Sequence, residues 1–126
     1  MPYSIDIRPA QRRAVVRGLG SADVADTVAS MRDLAARPEF EPGFGMLVDV
    51  RDLSYVASFD DLIALRDVFG ELRESFSGPI AVVVSDLLRY GITRSISGLT
   101  SMVGVRIEAF RDEAAAEAWL TAETTS

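Results

Sequence analysis

Apolar positions along this chain follow two periods, and the switches between them outline its elements. Tyr3-Ser-Ile-Asp-Ile7 alternates apolar and polar residues as a half-buried strand does, Pro9-Ala-Gln11 supplies a turn, and Arg13-Ala-Val-Val-Arg17 follows as a second strand. An antiparallel hairpin is expected. Gly18-Leu-Gly20 closes it, and Ser21 is placed to cap a helix with Asp23 in its first turn. Val24, Val28, Met31 and Ala35 form one apolar stripe at helical spacing, and Arg37-Pro38 stops that helix. The loop from Pro38 to Gly45 holds two prolines and two glycines, with Phe40 and Phe44 expected against the core.

Met46-Leu-Val-Asp-Val50 and Ile80-Ala-Val-Val-Val84 carry too few polar positions for strands with one wet face, so both are expected in the sheet centre. Between them Leu62, Leu65, Phe69, Leu72 and Phe76 make a second helical stripe. Asp86 is placed to cap a third helix, with Leu88, Ile92, Leu99 and Val103 facing the core and Gly91, Ser95 and Gly98 on a face of small residues. Val105-Arg-Ile-Glu-Ala109 alternates as a last strand. Asp112 caps a short final helix on which Ala115, Ala118 and Trp119 should pack, and residues 121–126 are expected to fray.

The order ββαβαβαβα predicts a single-domain α/β fold over residues 1–120. It has a mixed sheet of about five strands, antiparallel in the N-terminal hairpin and parallel where right-handed crossovers join the rest, with about four helices packed on it. At 126 residues and 48% hydrophobic content the chain can bury a real core in one domain. A net charge of -6 disfavours nucleic acid and anionic membrane as partners, since both demand a basic face. Without an apolar run of ~20 residues or a basic leader, a cytoplasmic location is expected.

Cysteine and histidine are both absent. That removes disulfides, zinc sites of the usual kind, thiolate nucleophiles and an imidazole base, and no cofactor is expected. Nineteen Asp and Glu residues keep a carboxylate base or a magnesium site in play.

Three places draw chemical attention. Ser58, Asp60 and Asp61 open the second helix, where backbone N–H groups can host an anion. Ser58 with Asp61 reads as a capping-box-like pair, and its functional reading is a modification or partner site. Asp49 lies in a buried strand and needs a partner; at the carboxyl end of a parallel strand it could instead serve a ligand crevice as a base. Arg51 is expected to reach it only through a neighbouring element. Finally, Ser85, Arg89, Tyr90 and Arg94 gather near the third helix start, and Tyr90 and Arg94 share a face at i,i+4. They read either as a solvated face or as an anion or ligand site.

Leu47-Val-Asp-Val-Arg-Asp-Leu53 in this element order resembles the STAS domains of anti-sigma-factor antagonists and, more closely, the SpoIIAA-like bacterial proteins grouped with them. The closer resemblance also rests on Arg37-Pro-Glu-Phe-Glu-Pro-Gly-Phe44, Tyr90-Gly-Ile-Thr-Arg94, and Val105 to Phe110 followed by Glu113 to Leu120. The resemblance implies the fold, and in the antagonist branch a serine at the start of the helix after this strand that a partner kinase phosphorylates. Matching the strand puts Ser58 at that position, whereas matching Asp52-Leu-Ser-Tyr-Val56 puts Asp61 there. The branch's Asp-Ser-Ser-Gly-Leu motif is absent here.

Three readings follow. The first is a non-enzymatic regulatory or adaptor domain that docks a protein partner at the start of the second helix and is tuned by phosphorylation. The second is a small-ligand or lipid carrier of SEC14-like type, which requires an apolar pocket of ~300 Å³ or more. The third is an enzyme using Asp49, Tyr90 and the arginines, which requires those side chains to converge on one cavity. A homodimer through an unpaired edge strand is also expected.

Overall fold

A computed structural model describes residues 2–124. Strands β1 (Tyr3–Arg8) and β2 (Arg13–Gly18) form the antiparallel hairpin, pairing Tyr3 with Gly18 and Arg8 with Arg13. One 3-10 turn, Pro9–Gln11, joins them, and Arg12 completes the reversal in the left-handed region at φ 53°. There follow α1 (Val24–Ala35), β3 (Gly45–Asp49), α2 (Phe59–Glu71), β4 (Ile80–Val83), α3 (Leu87–Ser101), β5 (Ile107–Phe110) and α4 (Glu113–Thr124). The five strands lie in sequence order, and β2 through β5 run parallel. The expected mixed five-stranded sheet with four helices is what forms.

Strand order dictates the layers. Each crossover moves one strand in the same direction, so three right-handed connections put α1, α2 and α3 on one face. On that face Val16, Met46, Val48, Ile80 and Ile107 meet Met31, Leu34, Leu65 and Phe69. Phe40, Phe44 and Phe76 close its lower end, with ring centroids 6.1 Å apart for Phe40–Phe44 and 5.7 Å for Phe40–Phe76. The two loop phenylalanines are buried as expected. After β5 no crossover remains, and α4 covers the opposite face, where Val15, Leu47, Ala81 and Val83 meet Ala116 and Leu120. This is why β3 is apolar on both faces, and all five of its residues are buried.

The structure corrects four local expectations. Helix α1 is capped by Asp23 rather than Ser21, because Asp26 at the third position returns the hydrogen bond and completes a capping box. On α3, Leu88 is exposed, and the deeply buried positions are Thr93 and Thr100. Their hydroxyls donate to the helix's own carbonyls, Thr93 to Arg89 at 2.9 Å and Thr100 to Ile96 at 3.0 Å, so threonine is buried without an orphaned donor. On α4 the inward residues are Ala116 and Leu120, with Ala115 and Ala118 outside and Trp119 against the Phe110 ring at 5.6 Å. The expected frayed tail from Thr121 is instead helical as far as Thr124; residues 125 and 126 of it lie outside the described residues.

Candidate functional site

The carboxyl ends of the parallel strands bring two helix starts together. Asp49 of β3 is in register with Val83 of β4, so the chain leaves both strands at one level to begin α2 and α3. The loop between β3 and α2 is pinned on both sides. Ser54 donates from its N–H to Gly20 O at 3.1 Å, and its own carbonyl accepts from Arg89 Nη2 at 2.9 Å. Arg89 also donates through Nη1 to Asp86 Oδ2 at 2.6 Å.

Each helix start is capped by its own side chains. Ser58 Oγ accepts from the Asp61 N–H at 3.2 Å, while Asp61 Oδ2 accepts from the Ser58 N–H at 2.8 Å and from the Tyr55 hydroxyl. The capping box expected at Ser58 and Asp61 is present. Asp86 Oδ1 accepts from the Arg89 N–H at 2.8 Å, and that backbone bond, with the Arg89 side chain behind it, holds the Asp86 carboxyl below its ordinary value. The caps leave the next side chains pointing into solvent. Phe59 and Leu87, the first helical residues, are each 70% exposed, Leu88 is 61% and Val56 of the loop 43%. Leu19, at the end of β2, is also exposed.

Beneath this rim a cavity of about 130 Å³ lies between the sheet and α1–α3, lined by apolar residues such as Met31, Val48, Leu65, Phe69 and Ile92. Toward the carboxyl end its lining passes to half-buried Leu53, Tyr55, Ala57 and Arg89. The polar side chains in the lining are almost all satisfied. Tyr3 and Thr27 share a bond of 2.8 Å, Tyr55 donates to Asp61, and Thr93 donates to Arg89 O. Burial pushes the Tyr3 phenol above its usual value, so it stays neutral. Arg89 Nε is buried without a partner. The volume is under half of the ~300 Å³ at which ligand pockets begin, so this cavity does not support the carrier reading.

Asp49 sits elsewhere, under α4. It is 7% exposed and receives Arg17 Nη1 at 2.5 Å, Arg51 Nε and Nη2 at 2.9 Å each, and the Arg51 N–H at 3.1 Å. Glu113, from the first turn of α4, closes the cluster by accepting from Arg51 at 2.7 Å and Arg17 at 3.3 Å. Arg51 therefore reaches Asp49 directly, contrary to expectation, because the chain turns immediately after β3, with the Leu53 N–H donating to Val50 O, and folds Arg51 back over the carboxylate that also accepts from its N–H. Its side-chain bonds, with the Arg51 N–H and the Arg17 charge, outweigh desolvation and hold the Asp49 carboxyl below its ordinary value. A general base needs the opposite setting.

Tyr90 and Arg94 occupy a third place, lining an open polar cleft between α3 and β5 with Ser97, Gly98, Glu108 and Ala109. Ser85 is exposed before the Asp86 cap, and Arg89 turns toward Asp86 and Ser54. The four residues expected to form one anion site are thus divided. Asp49, Tyr90 and the arginines do not converge either, which removes the enzyme constellation built on them. Among the described residues no group of three acidic side chains could hold a metal ion, and no helix is long and apolar enough to cross a membrane.

Val56, Phe59, Leu87 and Leu88 were not legible as a site. Leu88 reads as core by spacing alone. The available signal is position: Phe59 and Leu87 directly follow their caps and fall outside the apolar stripes of α2 and α3.

No protein-family model and no curated protein matches the chain. Among solved structures it is similar to an uncharacterised protein of the DUF3478 family from Shewanella loihica PV-4, described as having a SpoIIAA-like fold. The two share 19% identity over 94% of this chain and 93% of that one, with a TM-score of 0.63. With its N-terminal hairpin, its sequentially ordered parallel strands and three helices on one face, the chain has the SpoIIAA-like fold.

Proposed function

We propose that this is a regulatory or adaptor domain that works by docking a protein partner on the surface formed by the starts of α2 and α3. The observation that carries the reading is the exposure of Phe59, Leu87, Leu88 and Val56 around two well-capped helix ends. Exposed apolar side chains gathered at one place, rimmed by polar groups, mark interaction surfaces. Asp52 and Asp60 stand exposed on the same segment, and the net charge is -6, so the complementary partner segment is apolar and basic. An anionic membrane meets the same acids unfavourably.

Ser58, exposed, lies between Val56 and Phe59 in the chain. Phosphate there gains from the helix's positive end, is opposed by Asp60 and Asp61, and sets about two negative charges beside Phe59. Phosphorylation is therefore a release signal for an apolar partner. The test is photocrosslinking in cells that make the native protein, with a benzophenone side chain at position 59 and a control at the exposed Met102, near the far end of α3. A discrete crosslinked protein at 59, absent at 102 and lost with Leu87→Asp and Leu88→Asp, supports the reading. The same products at both positions contradict it.

A further inference from the structure

One stripe of α3 faces solvent along the whole helix. Leu87, Gly91, Ser95, Gly98 and Met102 follow one another at helical spacing, and all five are exposed, Leu87 by 70% and Met102 by 77%. Glycine weakens a helix interior relative to alanine. Gly91 and Gly98 nevertheless stand in α3 with open space where a Cβ would sit, and neither has a positive φ, so nothing in the monomer requires glycine at either place. What two glycines on one exposed helix face permit is the close approach of another backbone.

We infer that this backbone is α3 of a second copy of the chain, packed antiparallel across a twofold axis. Three features identify the occupant. An interface of that kind must be self-complementary, so that when residue i meets residue j, j also meets i. The stripe meets this condition: Leu87 and Met102, like Gly91 and Gly98, lie equally far on either side of a point between Arg94 and Ser95. Centred there, Leu87 of each copy covers Met102 of the other while the glycines let the two helices come together. Charge agrees. Among the described residues α3 is the one α-helix without Asp or Glu, so in a chain of net charge -6 it is where a second copy meets least repulsion. The polar cleft on the flank of α3 completes the match. Lined by Tyr90, Arg94, Ser97 and Gly98 from the helix and by Glu108 from β5, it lies level with the axis, and the Arg94 and Glu108 side chains have no ion-pair partner among the described residues. An antiparallel twofold sets the two clefts on the same side of the helix pair, where Arg94 of each copy reaches Glu108 of the other. Leu87 also belongs to the docking surface, so pairing and partner docking exclude each other there; that consequence alone rests on the docking reading.

The test is sedimentation equilibrium of the purified protein, which holds no partner and so decides the pairing by itself. A dimer with a dissociation constant in the micromolar range is expected, as suits an interface at the small end of the range. Gly91→Gln and Gly98→Gln, which hold the helices apart, should each weaken it at least tenfold while the melting temperature holds or rises, since glutamine is the better helix former. Arg94→Glu and Glu108→Arg should each weaken it at least tenfold, whereas an equimolar mixture of these two variants should pair within threefold of the native protein, because their charges then complement one another between copies. Protein that stays monomeric at about 1 mM overturns the inference. So does a dimer that none of the four substitutions weakens, which would place the contact elsewhere, or a mixture that fails to recover, which would remove the charge pairing and the axis with it. Gly98→Gln leaves Phe59, Leu87 and Leu88 in place, so crosslinking at position 59 should be at least as strong in it as in the native protein. A fivefold fall would overturn the exclusion and leave the pairing to the sedimentation result.

Discussion

Replacing Asp49 by asparagine separates a structural carboxylate from a catalytic one. The side chain is 9% exposed and accepts from both Arg17 and Arg51. Removing one partner of a buried ion pair costs about 3–5 kcal/mol. The Arg17 and Arg51 side chains are 39% and 38% exposed, so water screens part of the loss. Glu113 stays beside them, and asparagine can still accept one bond, which together bring the expected cost to about 2 kcal/mol. With unfolding entropy of about 2.1 cal/mol/K per residue over 126 residues, the melting temperature should fall by about 8 °C. The pH dependence has a definite sign. Because the folded carboxyl titrates below its unfolded value, its stabilising contribution is full above the ordinary aspartate range and is lost as pH falls through the lowered folded value. The difference between native and variant proteins in urea or thermal unfolding should therefore be constant near neutrality and shrink below about pH 4. A variant melting within 2 °C of the native protein at pH 7, or a gap that widens in acid, refutes the assignment.

Phe59→Ala and Phe69→Ala change the same residue type on the same helix with opposite expectations: the exposed Phe59 should cost less than about 0.5 kcal/mol and the buried Phe69 about 3–4 kcal/mol in urea unfolding. Ser58→Ala should cost about 1 kcal/mol by removing the cap of α2, while Ser58→Asp keeps a capping acceptor and stays within about 0.5 kcal/mol of the native protein. Gly78→Ala should destabilise by at least about 2 kcal/mol, since a Cβ there would lie 2.2 Å from Phe44 O and 2.6 Å from Gly43 O, where main chain must move. A neutral result in a denaturant melt would contradict that close approach.

Much of the fold was legible because it depends on local periodicity. The alternation of Tyr3–Ile7, the unbroken apolar runs at β3 and β4, and the capping pair Ser58 and Asp61 each specify their element with short-range physics. Which face of α3 and α4 turns inward was less legible. Thr93 and Thr100 look polar in a sequence but bury once their hydroxyls bond backbone carbonyls, and that freedom leaves Leu88 in solvent. The cluster around Asp49 was half legible: an unpaired buried carboxylate demanded a partner, but Glu113 and Arg17 are brought to it by α4 and β2 across long sequence separations. The docking surface was legible only in position. Spacing leaves Phe59 and Leu87 outside the apolar stripes but does not bring them near each other, which follows from two N-caps starting two helices after adjoining strands.

The most direct test of the docking surface is the affinity of the crosslinked partner, purified and titrated by calorimetry against native protein and against the Leu87→Asp, Leu88→Asp double variant. Central apolar contacts of an interface cost about 2 kcal/mol or more each when lost, so affinity should fall at least a hundredfold while the variant's melting temperature stays within a few degrees. A change below threefold would place the partner elsewhere and contradict the account.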